Sequence, residues 1–268
     1  MDLQKGLVGH WTFDVETSNN NTAYDSSAYD NHGNFNTDDI SLESGKISDS
    51  YYFNSGGGIN IADPDIDFTD SLTICFWFKT EQNYNSRRNP IHKSYGAEFS
   101  FTLENNSNGE LSTYFGSAGS NTSPYATNRW SNIPDNQWNH LVWIRDNESQ
   151  NVTLYLNGED YSSNRVRTEW ETPVSSNNSL LIGDGYTNPM YGNMDDVRIY
   201  NRVLSEREIS ALYNMRSQRV QSGEWPIGPD LEIESGETFT VDGRIVVGDL
   251  KSDGEFIVSD DSKFISRG

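Results

Sequence analysis

Asp14, Asp25, Asn31, Asp195 and Asp196 are the residues of this 268-residue chain best suited to hold a hard cation. Calcium takes roughly six to eight oxygen ligands in a forgiving geometry, and carboxylates, asparagine and loop carbonyls supply them. A structural reading competes: Asp25 and Asn31 form Asx turns, and the adjacent aspartates end a solvated strand. Adjacent carboxylates also suggest acid catalysis. Successive residues of a strand point to opposite faces, however, so Asp195 and Asp196 are not expected to share one substrate.

A second chemistry is sugar recognition, in which aromatic rings stack on C–H faces while amides and charges bind hydroxyls. Between Ser123 and Ile133 rings alternate with polar groups outside any clear strand. Tyr125, Asn128, Arg129, Trp130 and Asn132 are therefore the expected ligand-binding residues, with Tyr84 and Trp170 as further loop rings. The competing reading packs these rings beneath loops or at subunit contacts. Catalysis has less to stand on. His10, His32, His92 and His140 are scattered, no serine or cysteine sits in a nucleophile motif, and zinc spacings are missing. No catalytic residue is assigned.

These groups must be positioned by β-structure. Short alternating segments separated by polar, glycine-rich loops predict strands at 7–13, 50–53, 59–61, 72–79, 98–103, 111–115, 140–145, 152–156, 180–182 and 193–200. Leu72, Ile74, Phe76 and Phe78 share one face and Thr73, Cys75, Trp77 and Lys79 the other, as in a central sandwich strand. Val152, Leu154 and Leu156 repeat the pattern, leaving Thr153, Tyr155 and Asn157 on a polar, aromatic face of the kind sugars use. Asn157-Gly158 predicts a type I′ hairpin turn, since both residues tolerate positive φ. Ser205 and Glu208 form a capping box flanked by the staple pair Leu204 and Ile209, which predicts one short helix over 205–214.

The expected organisation is a domain over 1–214, a Gly/Pro linker over 215–230 and a small β-rich tail over 231–268. The tail's few strands bury little alone, so it is expected to pair with the main domain or with other copies of the chain. Formal charge is −21, from 40 acids against 19 bases, which argues against nucleic acid as a partner. The pairs Arg87-Arg88 and Arg165/Arg167 read as solvated loop charges. Arginine outnumbers lysine by 13 to 6, and with the acid excess this suggests a protein adapted to high salt. Cys75 is the only cysteine and excludes an internal disulfide. No apolar run approaches the roughly 18 residues of a membrane span, so no membrane insertion is expected, and the Met1–Lys5 start lacks the marks of an export leader. Asn-x-Ser/Thr sequons occur at Asn20, Asn105, Asn121, Asn147, Asn151 and Asn177.

The pieces also occur in a familiar order: Leu7 to Asp14 with its His10-Trp11, Asp25-Ser26-Ser27, Asn31-His32-Gly33, Gly45-Lys46-Ile47, Leu72 to Lys79, Trp138 to Val142, Leu154 to Gly158 and Met194 to Leu212. This set, covering about 6–214, resembles a laminin-G-like domain. The resemblance implies an all-β, concanavalin A-like jelly roll of two curved antiparallel sheets, often a glycan-binding or adhesion module, frequently with structural calcium. It makes convergence of Asp14 and Asp195 on calcium plausible, and it does not imply catalysis. Ala28 and Asp30 stand where the family commonly has glycine, so that loop is expected either to change conformation or to offer another carboxylate. The run Asp230 to Glu234 is superficially like the acid-rich strand of jelly-roll glucanases, but its order differs and it reads as a solvated strand. The resulting expectation is a non-catalytic carbohydrate-binding module contacting cell-surface glycans or glycoproteins, at a virion surface or outside the cell. Its tail would contact sister copies or other virion proteins. The rivals are a purely structural virion protein and a polysaccharide hydrolase or lyase.

Overall fold

The computed structural model describes residues 2–14, 18–19, 21–62, 64, 66–80, 86–104 and 108–215, and the backbone of six strands between 231 and 266. The chain divides into two units, Asp2–Ser217 and Gln218–Gly268, the latter grouped with Met1. Among the described residues no helix is long and apolar enough to cross a membrane.

The first unit is a sandwich of an 8-stranded and a 12-stranded sheet. In the first sheet Leu72–Thr80 lies centrally, between Asn139–Asp146 and Tyr191–Tyr200. The second sheet runs from Arg165–Arg167 through Tyr125–Trp130, Leu111–Gly116, Phe99–Leu103, Ile91–Ser94 and Leu180–Ile182 to Ile59–Ile61 and short strands beyond it. Pairing in both sheets is antiparallel, apart from the short Arg88–Asn89 and Asn188–Pro189 pair. This is the sandwich that the alternation of the strands predicts and the jelly roll that the resemblance implies.

Alternation decides the core. Leu72, Ile74, Phe76 and Phe78 meet Phe99, Phe101, Leu111 and Phe115 of the facing sheet, with Trp11, Trp130 and Trp143 filling the layer between. The strand Leu72–Thr80 was legible in the sequence; the strand Tyr125–Trp130 was not, and Trp130 lies within it fully buried. The opposite face of the first sheet carries a second cluster: Leu7, Cys75, Val142, Ile144 and Tyr200 beneath Leu204, Ile209 and Leu212. The last two residues belong to the helix Glu206–Asn214, whose Ser205–Glu208 capping box forms as expected. Tyr155 packs against this cluster too, so the face expected to suit sugars is partly closed by the helix. Asn157 and Gly158 both take positive φ, 54° and 83°, as the hairpin requires.

Tyr191–Tyr200 changes partner halfway. Tyr191 to Met194 pair with Asp49–Asn54, and Val197 to Tyr200 pair with Leu7–Trp11. Between them a register shift opposite Leu72–Thr80 puts Asp196 at φ 49°. This bulge corrects the simple alternation. Met194 and Val197 both face the inner core, so Asp195 and Asp196 lie together on the outer side, not on opposite faces.

Candidate functional site

Along Phe99–Leu103, Leu111–Gly116 and Tyr125–Trp130, residues alternate with those of the core and form the outer face of the second sheet. Strand register aligns them in rows: Thr102, Ser112, Arg129 and Arg167 in one, Ser100, Tyr114 and Thr127 in the next. Arg87, Glu104, Tyr95 and Tyr186 join from the flanks. With Tyr114, Tyr125, Thr127, Arg129 and Arg167 they line a cavity of about 480 Å³.

Glu104 anchors its polar side. Arg87 Nε donates to Glu104 Oε2 at 2.9 Å, and the Tyr114 hydroxyl donates to Oε1 at 3.0 Å. Arg87 Nη2 also donates to the hydroxyls of Tyr114 and Tyr186, at 2.9 and 2.8 Å. Burial works against the Arg87 charge, but the facing oxygens of Tyr186, Tyr114 and Glu104 outweigh it and hold the guanidinium cationic. Arg129 donates to Ser112 Oγ at 2.8 Å and reaches Glu104 and Glu110 at 3.5 Å each. Arg167 pairs with Glu169. The arginines of the cleft are thus already matched by carboxylates.

Its other side is aromatic. Tyr95 meets Tyr125 edge-on at 5.0 Å and Tyr186 at 4.6 Å, and Tyr114 meets Tyr125 at 5.8 Å. Tyr125 is 37% exposed, and so presents an accessible ring. Such a surface offers ring faces for C–H groups beside donors and acceptors already held in place, the combination that binds polyols.

Of the expected ligand residues, Tyr125 and Arg129 line this cleft. Trp130 and Asn128 do not, because the segment is a strand and alternation turns both inward. Asn128 binds Thr168 and Glu169, anchoring the neighbouring segment. Asn132 bonds Ser131 and Asn164 away from the cleft. Trp170 packs against the core, and Tyr84 lies outside the described residues. Arg87 is not a solvated loop charge but part of the network; Arg88 and Arg165 also bond backbone carbonyls, of Pro189 and Val152. Arg87, Tyr95, Glu104, Tyr114 and Tyr186 were missed. Alternation alone pointed to Tyr114, since it stands between Thr113 and Phe115 on the face opposite the core.

The expected cation ligands separate into three groups. Asp25 accepts from the backbone of His10, Ser27 and Asn31 and from the Ser27 hydroxyl, at 2.8 to 3.0 Å. Asn31 accepts from the Trp11 indole at 3.0 Å, so this pair clamps its loop, as the Asx-turn reading anticipates. Asp30 takes φ 54° there, keeping the left-handed conformation that glycine favours. Asp196 is bound by Arg198 and by His10 Nε2 at 2.8 Å. Burial alone would raise its pKa, but the Arg198 charge and the His10 hydrogen bond hold it well below the usual carboxylate range.

Asp14 and Asp195 meet one segment: Asp14 accepts from Asp49 N at 3.0 Å, and Asp195 Oδ2 accepts from Lys46 N and Ile47 N at 2.8 and 2.7 Å. Burial pushes the Asp195 carboxyl up to about 8, against those two hydrogen bonds and with Asp196 and Asp14 adding repulsion. Asp195 Oδ1 is buried without a protein hydrogen-bond partner. An orphaned carboxylate oxygen near a second carboxylate fits a hard cation. Among the described residues no three His, Cys, Asp or Glu converge, and of the five expected ligands Asp14 and Asp195 are the two that meet one segment.

Relatives share the fold widely. Domain 4 of a GH43 extracellular arabinanase from Geobacillus stearothermophilus, solved with arabinotriose, aligns at TM-score 0.55 and 21% identity, covering 78% of this chain and 98% of that one. The binding domain of Paraclostridial Mosquitocidal Protein 1 aligns at TM-score 0.60 and 17% identity, covering 80% and 53%. The binding domain of botulinum neurotoxin DC, in complex with SialylT, aligns at 0.57 and 15%, covering 80% and 52%. This chain thus spans about half the length of either toxin domain. No curated protein matches it by sequence. The family described as Concanavalin A-like lectin/glucanases superfamily, Laminin_G_3, matches residues 53–210, and the chain belongs to that family.

Proposed function

We propose that the chain is a non-catalytic carbohydrate-binding module whose ligand occupies the cleft on the outer face of the second sheet. The observation that carries this reading is the Arg87–Glu104–Tyr114–Tyr186 network beside the exposed Tyr125 ring, a polar and aromatic surface fixed before any ligand arrives. Saccharide-bound relatives of the same fold support it: the arabinanase domain with arabinotriose and the toxin domain with SialylT. Because Glu104, Glu110 and Glu169 already balance the arginines, the cleft reads hydroxyls and favours a neutral saccharide over an anionic one. Among the described residues Glu104 is the one carboxylate lining it, whereas glycoside hydrolysis ordinarily uses a pair. Calcium held by Asp14 and Asp195 is part of the proposal, as a structural ion away from the ligand. A setting on a virion or outside the cell, facing host glycans, completes it.

A glycan array probed with the full chain tests the reading. Binding to a neutral oligosaccharide, lost in Arg87→Gln and unaccompanied by released product, is the expected result. Signal that survives Arg87→Gln, or turnover of the bound saccharide, would overturn it.

A further inference from the structure

Strands of the second unit pair in an order that the sandwich does not share. Leu231–Ile233 pairs with Leu250–Ser252, Thr238–Val241 with Glu255–Val258, and Arg244–Val247 with Lys263–Ser266, all parallel. Their first partners lie 19, 17 and 19 positions apart, Leu231 with Leu250, Thr238 with Glu255 and Arg244 with Lys263. A chain that lays down three strands and then lays three more on them in the same order and direction is winding, each circuit serving as the crossover that parallel pairing needs. We infer that this unit is two coils of a parallel β-solenoid whose open ends stack head to tail on the same unit of a second copy of the chain.

Among the described residues each of these strands has a single partner, leaving its other edge to offer backbone groups, and coil repeats ordinarily need three or more members to be stable. Register identifies what fits that edge. Leucine is paired with leucine at 231 and 250, Phe239 with Phe256, Val241 with Val258, and Val246 with Ile265. A further first coil laid on the second would continue every one of these matches. Charge gives the direction: Glu232 is paired with Lys251, and head-to-tail stacking sets Lys251 beside the next copy's Glu232, whereas a first coil facing a first coil brings like charges together. Head-to-tail contacts do not close on themselves, so the product is a linear assembly. Because each copy carries −21, salt strengthens the association by screening repulsion.

Light scattering on the full chain over a concentration series, with two charge variants, tests this. Glu232→Lys makes both positions basic and Lys251→Glu makes both acidic, so each alone should associate roughly tenfold more weakly than the parent. Mixed in equal amounts they restore opposite charges at every junction between copies, and association should recover although neither chain has regained its internal pair. A parent chain that stays monomeric at millimolar concentration would overturn the inference. So would a mixture that associates no better than its components.

Discussion

On the outer face of the first sheet, Cys75, Val142, Ile144 and Tyr200 lie beneath the helix Glu206–Asn214, and beside them the buried Asp196 and Arg198 pair with each other and with the half-buried His10. On the outer face of the second sheet, Ser100, Ser112, Tyr114 and Thr127 stand among polar groups that line a cleft. The two faces come from the same period-two alternation, and both carry arginine bound to carboxylate. What separates them is a cover. The helix covers one face and its ions, and the face without that cover keeps an open cleft. Perturbed charge by itself therefore does not mark the site: burial raises Cys75 strongly beneath the helix and Tyr186 strongly in the cleft, while Asp196, against its burial, is held low by Arg198.

The largest effect should follow from opening a pair on the sealed side. Asp196→Asn leaves Arg198 buried without its counter-charge, and removing one partner of a buried pair costs about 3–5 kcal/mol. Urea denaturation should show that loss. Arg87→Gln, in a pair whose arginine side chain is 39% exposed, should shift stability by no more than about 1 kcal/mol. Equal losses at the two sites would erase the distinction between the faces.

Much of the sealed face was legible in the sequence and little of the cleft was. The capping box, the staple and the alternation of Leu72–Thr80 are local signals, and each one formed as expected. The bulge at Asp195-Asp196 was not legible, because it arises where one strand exchanges Asp49–Asn54 for Leu7–Trp11, partners far apart in the chain. The cleft failed for a related reason. Tyr125–Trp130 looked like a loop because a polar outer row, Thr127 and Arg129, alternates with an inner row that includes the polar Asn128. Its strand character comes from the neighbours it joins rather than from its own composition. Arg87 reaches Glu104, and Tyr186 reaches Arg87, across separations in the chain that no spacing rule encodes.

Acid sharpens the comparison next. His140, on the first sheet, and His92, beside Tyr186 of the cleft, are both lowered to about 4, chiefly by burial. Above about pH 6.5 both states are neutral and nothing is linked; below it the unfolded chain binds protons that the folded one refuses. Stability should therefore fall as pH drops from about 6.5 to about 4, by on the order of 3 kcal/mol for each histidine at most. His140→Gln should flatten part of that slope in chemical denaturation, leaving the part due to His92. Asp195 has the opposite sign. Its carboxyl, raised to about 8, keeps a proton that the unfolded chain loses, so stability should fall as pH rises from about 4 to about 8.

Calcium should cancel that second slope, because a bound cation keeps Asp195 ionised. At a hundredfold excess over its dissociation constant it should add about 2.7 kcal/mol and raise the melting temperature. Asp195→Asn should abolish the gain and leave saccharide binding in the cleft intact. If calcium leaves melting unchanged, Asp14 and Asp195 hold no cation and Asp195 keeps its proton instead.

The smallest effect on folding should come from Tyr125→Ala. The ring is 37% exposed and meets Tyr95 and Tyr114 edge-on, so its removal should cost within about 1 kcal/mol of stability. The same change takes away the accessible ring face of the cleft and should weaken saccharide binding about tenfold, which calorimetry would measure as about 1.4 kcal/mol. Trp130→Ala, five positions along the same strand, should do the reverse: it empties a fully buried site and destabilises the fold by about 3–5 kcal/mol. Any loss of binding there would follow unfolding and recover under conditions that stabilise the sandwich. Two aromatic residues at opposite ends of one strand thus separate the roles of its two sides, one tied to affinity and the other to the core.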